Sequence, residues 1–116
     1  MWLVSRNKAK GTSAETAVVN YLNDNGYPYA ERRALAGVND KGDIAGIPAV
    51  AIEVKAQKTY SIPAWMRELK IEKANAKADT GFLVVKPIGV GSKNTGEWWA
   101  VMPLSDMIEL LKKAGK

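Results

Sequence analysis

Two carboxylates and a lysine, Asp43, Glu53 and Lys55, occur close together in the middle of the chain. The segment 49–55 alternates between apolar residues and small or charged ones, which predicts a strand with Glu53 and Lys55 on one face. A short strand and a turn are predicted over 42–49, so a hairpin would bring Asp43 beside Glu53. Two carboxylates ~4 Å apart repel by ~4 kcal/mol near a protein surface, and a bound cation reverses that cost. Taken alone, a Glu and a Lys two positions apart are usually a solvated surface pair, but the whole pattern favours a metal site.

The amino-acid composition narrows the chemistry that such a site could perform. The 116 residues are 25% charged and 47% hydrophobic, which is ordinary for one globular domain spanning 1–116. The chain has no histidine and no cysteine, so Ser-His-Asp catalysis, Cys-His catalysis and thiolate metal sites are all excluded. What remains is catalysis by carboxylates, lysines and hydroxyls, with a metal held by oxygen.

An excess of basic residues predicts a polyanionic partner. The net charge is +5 and the pI is about 9.5, which suggests nucleic acid without identifying it. Each basic residue has an alternative role as an ordinary solvated charge. No apolar run is long enough to cross a membrane, and the basic residues follow the first apolar ones, unlike a signal peptide. The residues predicted to contact phosphate are Arg6, Lys8, Lys10, Arg32, Arg33, Lys58 and Lys93.

The first helix is predicted to begin at Thr12 or Ser13 and to end before Gly26, after a basic and mobile arm at 1–11. Glu15 lies on the flank of its apolar side, where it could face a neighbouring cleft. The spacing of Thr12 and Glu15 also matches a capping box, in which the glutamate would bond the first amide of the helix. On spacing alone the capping role is favoured.

The remaining pattern predicts an α/β protein with a central mixed sheet flanked by helices, in the order α-β-β-β-α-β-β-α. The strand-helix-strand portion implies a parallel crossover. The second helix carries a basic stripe, which Glu68 and Glu72 dilute, and most such stripes are simply solvated. The stripe residues are Arg67, Lys70, Lys73 and Lys77. After the first helix, the predicted elements are strands at 27–35, 42–45 and 49–55, a helix at 61–79, a strand at 81–86, a glycine-rich loop at 87–96, a strand at 97–102 and a final helix beginning at Ser105.

Three segments together resemble one nuclease group. They are Lys10-Gly-Thr-Ser-Ala-Glu15, Gly42-Asp43 and Ile52-Glu-Val-Lys55, and they look like the archaeal-type Holliday junction resolvases of the PD-(D/E)xK superfamily, a group that also occurs in phages. The resemblance covers about residues 6–102 and implies a restriction-endonuclease-like core. Two departures stand out: Gly42 occupies the place of the family's proline, and no serine lies between Arg33 and Asp43.

The resemblance implies that Glu15, Asp43 and Glu53 bind a divalent metal and that Lys55 orients or activates the attacking water. Gln57, on the same strand face as Lys55, is a further candidate for contact with water or phosphate. Hard oxygen ligands suit Mg²⁺, with Mn²⁺ able to substitute, and no small-molecule cofactor is expected.

The implied activity is hydrolysis of branched DNA, above all four-way junctions, in DNA recombination and repair, leaving 5′-phosphate ends. Symmetric cutting of a junction implies a homodimer, for which Trp98, Trp99 and the final helix are the candidate interface. The expected location is the cytoplasm of a bacterial, archaeal or phage-infected cell. Two alternatives stay open: a general phage or repair nuclease acting on flap, branched or duplex DNA, and a non-catalytic DNA-binding protein with a vestigial site.

Overall fold

The computed structural model describes residues 2–34 and 39–116, with side chains described from Lys10 onward. A short 3₁₀ helix at Ser92–Glu97 precedes the last strand. The helices and strands are α1 (Trp2–Asp24), β1 (Glu31–Arg32), β2 (Ile44–Ala45), β3 (Val50–Lys55), α2 (Ile62–Asn75), β4 (Thr80–Val85), β5 (Trp99–Val101) and α3 (Leu104–Lys113).

The central sheet has the strand order β3-β4-β5. β3 and β4 are parallel and are connected through α2, whereas β4 and β5 are antiparallel. This mixed sheet, flanked by helices, confirms the predicted α/β class. The strands β1 and β2 form a separate antiparallel pair instead of joining the central sheet. A backbone hydrogen bond of 2.8 Å, from the Asp43 amide to the Ile52 carbonyl, links the segment that carries β2 to β3.

The hydrophobic core has two parts because neighbouring residues of a strand point to opposite sides of the sheet. On one side, α1 packs through Ala14 and Val18 against Ile52 of β3. On the other side, Trp65 and Leu69 of α2 pack against β4. Burying a side chain such as Ile52 contributes about 1.5–3 kcal/mol. Since helices cover both sides, β3 holds its polar residues in a fixed position between them.

The predicted start of the first helix is wrong, because α1 is already helical from Trp2 and runs through the segment 1–11 that was predicted as a mobile arm. Gly11 costs a helix about 1 kcal/mol relative to alanine, and neither it nor Thr12 interrupts α1. Because Thr12 lies inside the helix, the capping box with Glu15 does not form. The hydroxyl of Thr16 instead donates to the Thr12 carbonyl at 2.9 Å.

The predicted first strand is also too long. Only Glu31 and Arg32 pair with β2, and the chain turns ahead of them at Pro28, which has no amide hydrogen to donate. The amide of Asn23 donates to carbonyls on both sides of this turn, at 3.0 and 3.1 Å. The predicted segment at 35–38 lies outside the described residues.

Three later boundaries differ from prediction. The helix α2 ends at Asn75 rather than near residue 79, since Lys77 has a φ of 51°, which an α-helix does not accommodate. Part of the predicted glycine-rich loop forms the 3₁₀ helix. The final helix is capped by Pro103 rather than Ser105. In the part of the chain that the structure describes, no helix is both long and apolar enough to cross a membrane.

Candidate functional site

Two short hydrogen bonds place Asp43 next to β3. Its amide donates to the Ile52 carbonyl at 2.8 Å, and its Oδ2 accepts from the Val54 amide at 2.7 Å. Gly42 makes this approach possible: it has a φ of +99°, and a Cβ there would lie 2.8 Å from the Ile52 carbonyl. Proline, with φ near −65°, could not adopt this conformation. The presence of glycine at position 42 therefore has a local structural cause.

Glu53 is the buried centre of the site, with only 6% of its surface exposed. Its Oε2 lies 3.3 Å from Nζ of Lys55. Its Oε1 is buried and has no hydrogen-bond partner among the described residues. Burial raises the pKa of Glu53, and the neighbouring Asp43 and Glu72 raise it further against the opposing effect of Lys55. A buried carboxylate with a free oxygen favours binding of a cation or a proton.

Lys55 is held as a cation at the edge of the site. Its Nζ contacts Glu53 and, at 2.8 Å, Oε2 of Glu68, and it lies 5.7 Å from the centre of the Trp65 ring. Burial lowers the pKa of Lys55, but the hydrogen bond and charge of Glu68, together with Glu53, outweigh that effect and leave the pKa raised. Lys55 is therefore suited to stabilising negative charge or orienting water rather than to accepting a proton.

Glu15 reaches the same region from α1. Its Oε2 lies 3.4 Å from Nε of Arg32. Burial and the charge of Asp43 raise the pKa of Glu15, despite the opposing effect of Arg32. Since the capping box does not form, Glu15 makes no capping bond that would compete with a role in the site.

All five side chains predicted to be catalytic lie around one open cleft of about 860 Å³. The cleft brings together α1, the Asp43 segment, β3 and the loop after β3. Lys10 and Lys58, two of the predicted phosphate contacts, are also in its wall. The lining residues are Lys10, Gly11, Glu15, Asp43, Glu53, Val54, Lys55, Ala56, Gln57, Lys58 and Thr59.

Three of the other predicted phosphate contacts, Arg32, Arg33 and Lys93, do not line this cleft. Arg32 lies beside it, paired with Glu15. The Arg33 guanidinium is half-buried and donates to the Ile44 carbonyl at 3.3 Å, which suits a structural role. Lys93 is exposed on the 3₁₀ helix. The predictions for Arg6 and Lys8 fall on side chains outside the described residues.

Glu68 and Glu72 were not predicted as site residues, yet both lie close to Glu53. Glu72 is only 2% exposed, and burial, followed by the charge of Asp40, raises its pKa to about 7. The side chain of Glu68 is 49% exposed, but it is bonded to Lys55. Helical spacing could have predicted the burial of Glu72. This residue falls three positions after Leu69 and seven after Trp65, on the buried side of α2.

The donor set at the cleft fits a hard divalent cation. Glu15, Asp43 and Glu53 offer only carboxylate oxygens, the ligands that Mg²⁺ and Mn²⁺ prefer. Among the described residues, the buried Oε1 of Glu53 has no hydrogen-bond partner, and such an oxygen favours a cation or a proton.

Protein-family models, curated proteins and solved structures were compared with this chain, and none of the three comparisons gave a match.

Proposed function

We propose that this protein is a metal-dependent, structure-selective DNA endonuclease with a restriction-endonuclease-like PD-(D/E)xK core, and that it cleaves four-way junctions. The observation that carries the proposal is the meeting of Glu15, Asp43, Glu53 and Lys55 at one cleft. A buried oxygen of Glu53 there has no hydrogen-bond partner in the described part of the chain. The resemblance in sequence supports the choice of DNA as the substrate.

In the proposed reaction, Glu15, Asp43 and Glu53 hold Mg²⁺ or Mn²⁺. Such an ion lowers the pKa of water and offsets charge on a phosphodiester. Lys55, kept protonated by Glu68 and Glu53, stabilises the negative charge that develops on the phosphate oxygens. Gln57, in the wall of the same cleft, orients the attacking water or a phosphate oxygen. Attack on phosphorus leaves a 5′-phosphate and a 3′-hydroxyl.

Glu15 and its ion-pair partner Arg32 allow a sharp test of metal binding. We expect Glu15→Gln to weaken Mg²⁺-dependent cleavage by more than about 100-fold, since loss of residues that only support ligands already costs about 10–100-fold. The Tm should change little, because the capping box is absent. The control is Arg32→Gln, which breaks the same ion pair but leaves the carboxylate in place. If the two variants cleave equally well, Glu15 is not a metal ligand.

The basic residues in the cleft wall should bind DNA through phosphate contacts. We expect Lys58→Glu to weaken binding more than Lys113→Glu, since Lys58 lines the cleft and Lys113 lies at the end of α3. DNA-binding titrations of the two variants measure the difference. Equal losses of affinity in the two variants would contradict a DNA-binding cleft.

The affinity for DNA should also depend strongly on salt. If a dimer engages roughly 6–10 phosphates, the logarithm of the affinity should fall against the logarithm of the salt concentration with a slope of about −5 to −9. Titrations over a range of salt concentrations measure this slope.

Phosphate contacts do not distinguish one base from another, so binding should depend on the shape of the DNA rather than on its sequence. A four-way junction should therefore bind more tightly than linear duplex of equal length at physiological salt. Competition between labelled junction and unlabelled duplex measures the preference. If the duplex competes equally well, selectivity for junctions is wrong, and a general nuclease that cuts flap, branched or duplex DNA becomes the better account.

We further propose a homodimer that forms through α3. Of the predicted interface residues, Trp98 is buried in the core, whereas Trp99 is 49% exposed. The exposed apolar residues of α3 recur three to four positions apart, as one helix face requires. They are Leu104, Met107, Ile108 and Leu111.

A charge on this face should break the proposed dimer. We expect Met107→Glu to be monomeric in sedimentation experiments and Lys113→Glu to remain dimeric. Unpaired junction cuts should then replace paired ones in the Met107 variant, because each chain carries one cleft. A wild-type protein that is monomeric at the concentrations used for cleavage would contradict the dimer.

A further inference from the structure

A second group of carboxylates lies on the α2 side of Glu53. Glu68 and Glu72 are one helical turn apart, so their side chains share a face of α2. One oxygen from each of Glu53, Glu68 and Glu72 lies within 4.8 Å of the others. Oxygens that bind one divalent ion at about 2.0–2.6 Å are separated by up to about 5 Å. The separations among the three carboxylate oxygens therefore suit the binding of one divalent ion.

Glu72 supplies an independent indication of a ligand. Only 2% of the residue's surface is exposed, and its Oε2 has no hydrogen-bond partner among the described residues. Lys55 forms ion pairs with Glu53 and Glu68, but no described lysine or arginine pairs with Glu72. A buried carboxylate without a cationic partner is unfavourable unless it takes up a cation or a proton.

The free oxygen of Glu72 lies close to the backbone at Gly42, where an added Cβ would be 3.4 Å from Oε2. The half-exposed Glu68 connects the group to solvent and gives an ion a route to enter.

We propose that Glu53, Glu68 and Glu72 form a second divalent-cation site, which shares Glu53 with the proposed nuclease site and takes Mn²⁺ or Mg²⁺. The inference depends on the proposed function in one respect, the sharing of Glu53. Three carboxylates lie close to the shared Glu53, namely Asp43, Glu68 and Glu72, and Lys55 is paired with two of the four, Glu53 and Glu68. When the ion binds, the Lys55 ammonium gives up its contact with Glu68 and remains at the cleft.

The number of bound Mn²⁺ ions tests this directly, without any measurement of cleavage. We expect calorimetry and Mn²⁺ electron paramagnetic resonance to give two ions per chain for the wild type. Glu72→Gln and Glu68→Gln should each lose the α2-side ion and keep one. Asp43→Asn should lose the other ion, and Glu53→Gln should lose both. The matched control Glu109→Gln changes an exposed glutamate of α3 and should keep two. Thermal melting establishes that each variant is folded.

A lysine variant gives a result that a merely structural role for the cluster would not produce. Lys55→Met removes the ammonium that competes with the ion, so Mn²⁺ should bind the α2-side site about tenfold more tightly. Unchanged or weaker binding would contradict the inference.

The outcomes separate this inference from the proposed function. If the wild type binds one ion, and Asp43→Asn loses it while Glu72→Gln keeps it, the second site is wrong and the nuclease site stands. If the one ion is lost in Glu72→Gln but kept in Asp43→Asn, the α2-side site is supported and the cleft site is contradicted. If no ion binds, both are overturned.

Discussion

Replacing Asp43 by asparagine should abolish DNA cleavage while leaving DNA binding intact or tighter. The change removes a proposed metal ligand and one negative charge beside the DNA, but Asn can still accept the hydrogen bond from the Val54 amide. Loss of residues that only support metal ligands costs about 10–100-fold, so loss of a ligand should cost more than about 100-fold. Glu53→Gln should have the same effect. The measurement is single-turnover cleavage of labelled junction in Mg²⁺, with binding followed by gel shift in Ca²⁺.

Asp24→Asn is the matched control, because Asp24 is exposed at the far end of α1 and does not line the cleft. It should cleave like the wild type. Wild-type rates in Asp43→Asn or Glu53→Gln would show that the cleft is not the site of metal-dependent chemistry.

The stability of the metal-free protein should fall as the pH rises from 5 to 8. Burial raises the pKa of Glu72 from 4.5 to about 7, so this group binds a proton more tightly in the folded state than in the unfolded state. Its contribution to stability is full below pH 4.5 and is lost as the pH rises through about 7. The loss amounts to about 3 kcal/mol, which is a fall in Tm of roughly 10–20 °C for a domain of this size. The raised pKa of Glu53 adds a loss in the same direction.

Mg²⁺ or Mn²⁺ should reverse this fall, and the gain in Tm should be larger at pH 8 than at pH 5, because protons and metal compete for the same oxygens. Thermal melts in EDTA and in added metal, taken at each pH, measure both effects. Glu72→Gln should flatten the profile in EDTA, while the control Glu109→Gln should not. A wild-type profile in EDTA that is flat between pH 5 and 8 would contradict the account of the buried carboxylates.

The strand β3 and its pairing with Asp43 could be predicted because both depend on local pattern. Alternation along 49–55 placed Ile52 and Glu53 on opposite faces, and the turn before it brought Asp43 alongside. Strand geometry then fixes the relative positions of Asp43 and Glu53, and these positions depend little on packing against distant segments. The observed core agrees, since Ile52 packs against α1.

The start of α1 and the burial of Glu72 were not predicted, for different physical reasons. Thr12 and Glu15 have the spacing of a capping box, but the helix continues through Gly11, and local sequence does not distinguish a cap from a mid-helix threonine. Glu72 lies on the apolar side of α2, yet glutamate is almost never fully buried unless it is paired. Its burial depends on the packing of α2 beside Glu53 and Lys55, which the local sequence does not specify. Such exceptions to local rules are concentrated at functional sites.

The most direct test of the central claim is incubation of the purified protein with end-labelled four-way junction in Mg²⁺, with a parallel reaction in EDTA. The account predicts paired cuts that leave 5′-phosphate ends in Mg²⁺ or Mn²⁺ and no cuts in EDTA. If junction, fork and linear duplex all stay intact in both metals while the protein binds them, a non-catalytic DNA-binding protein would be the correct description, and the proposed nuclease activity would be wrong.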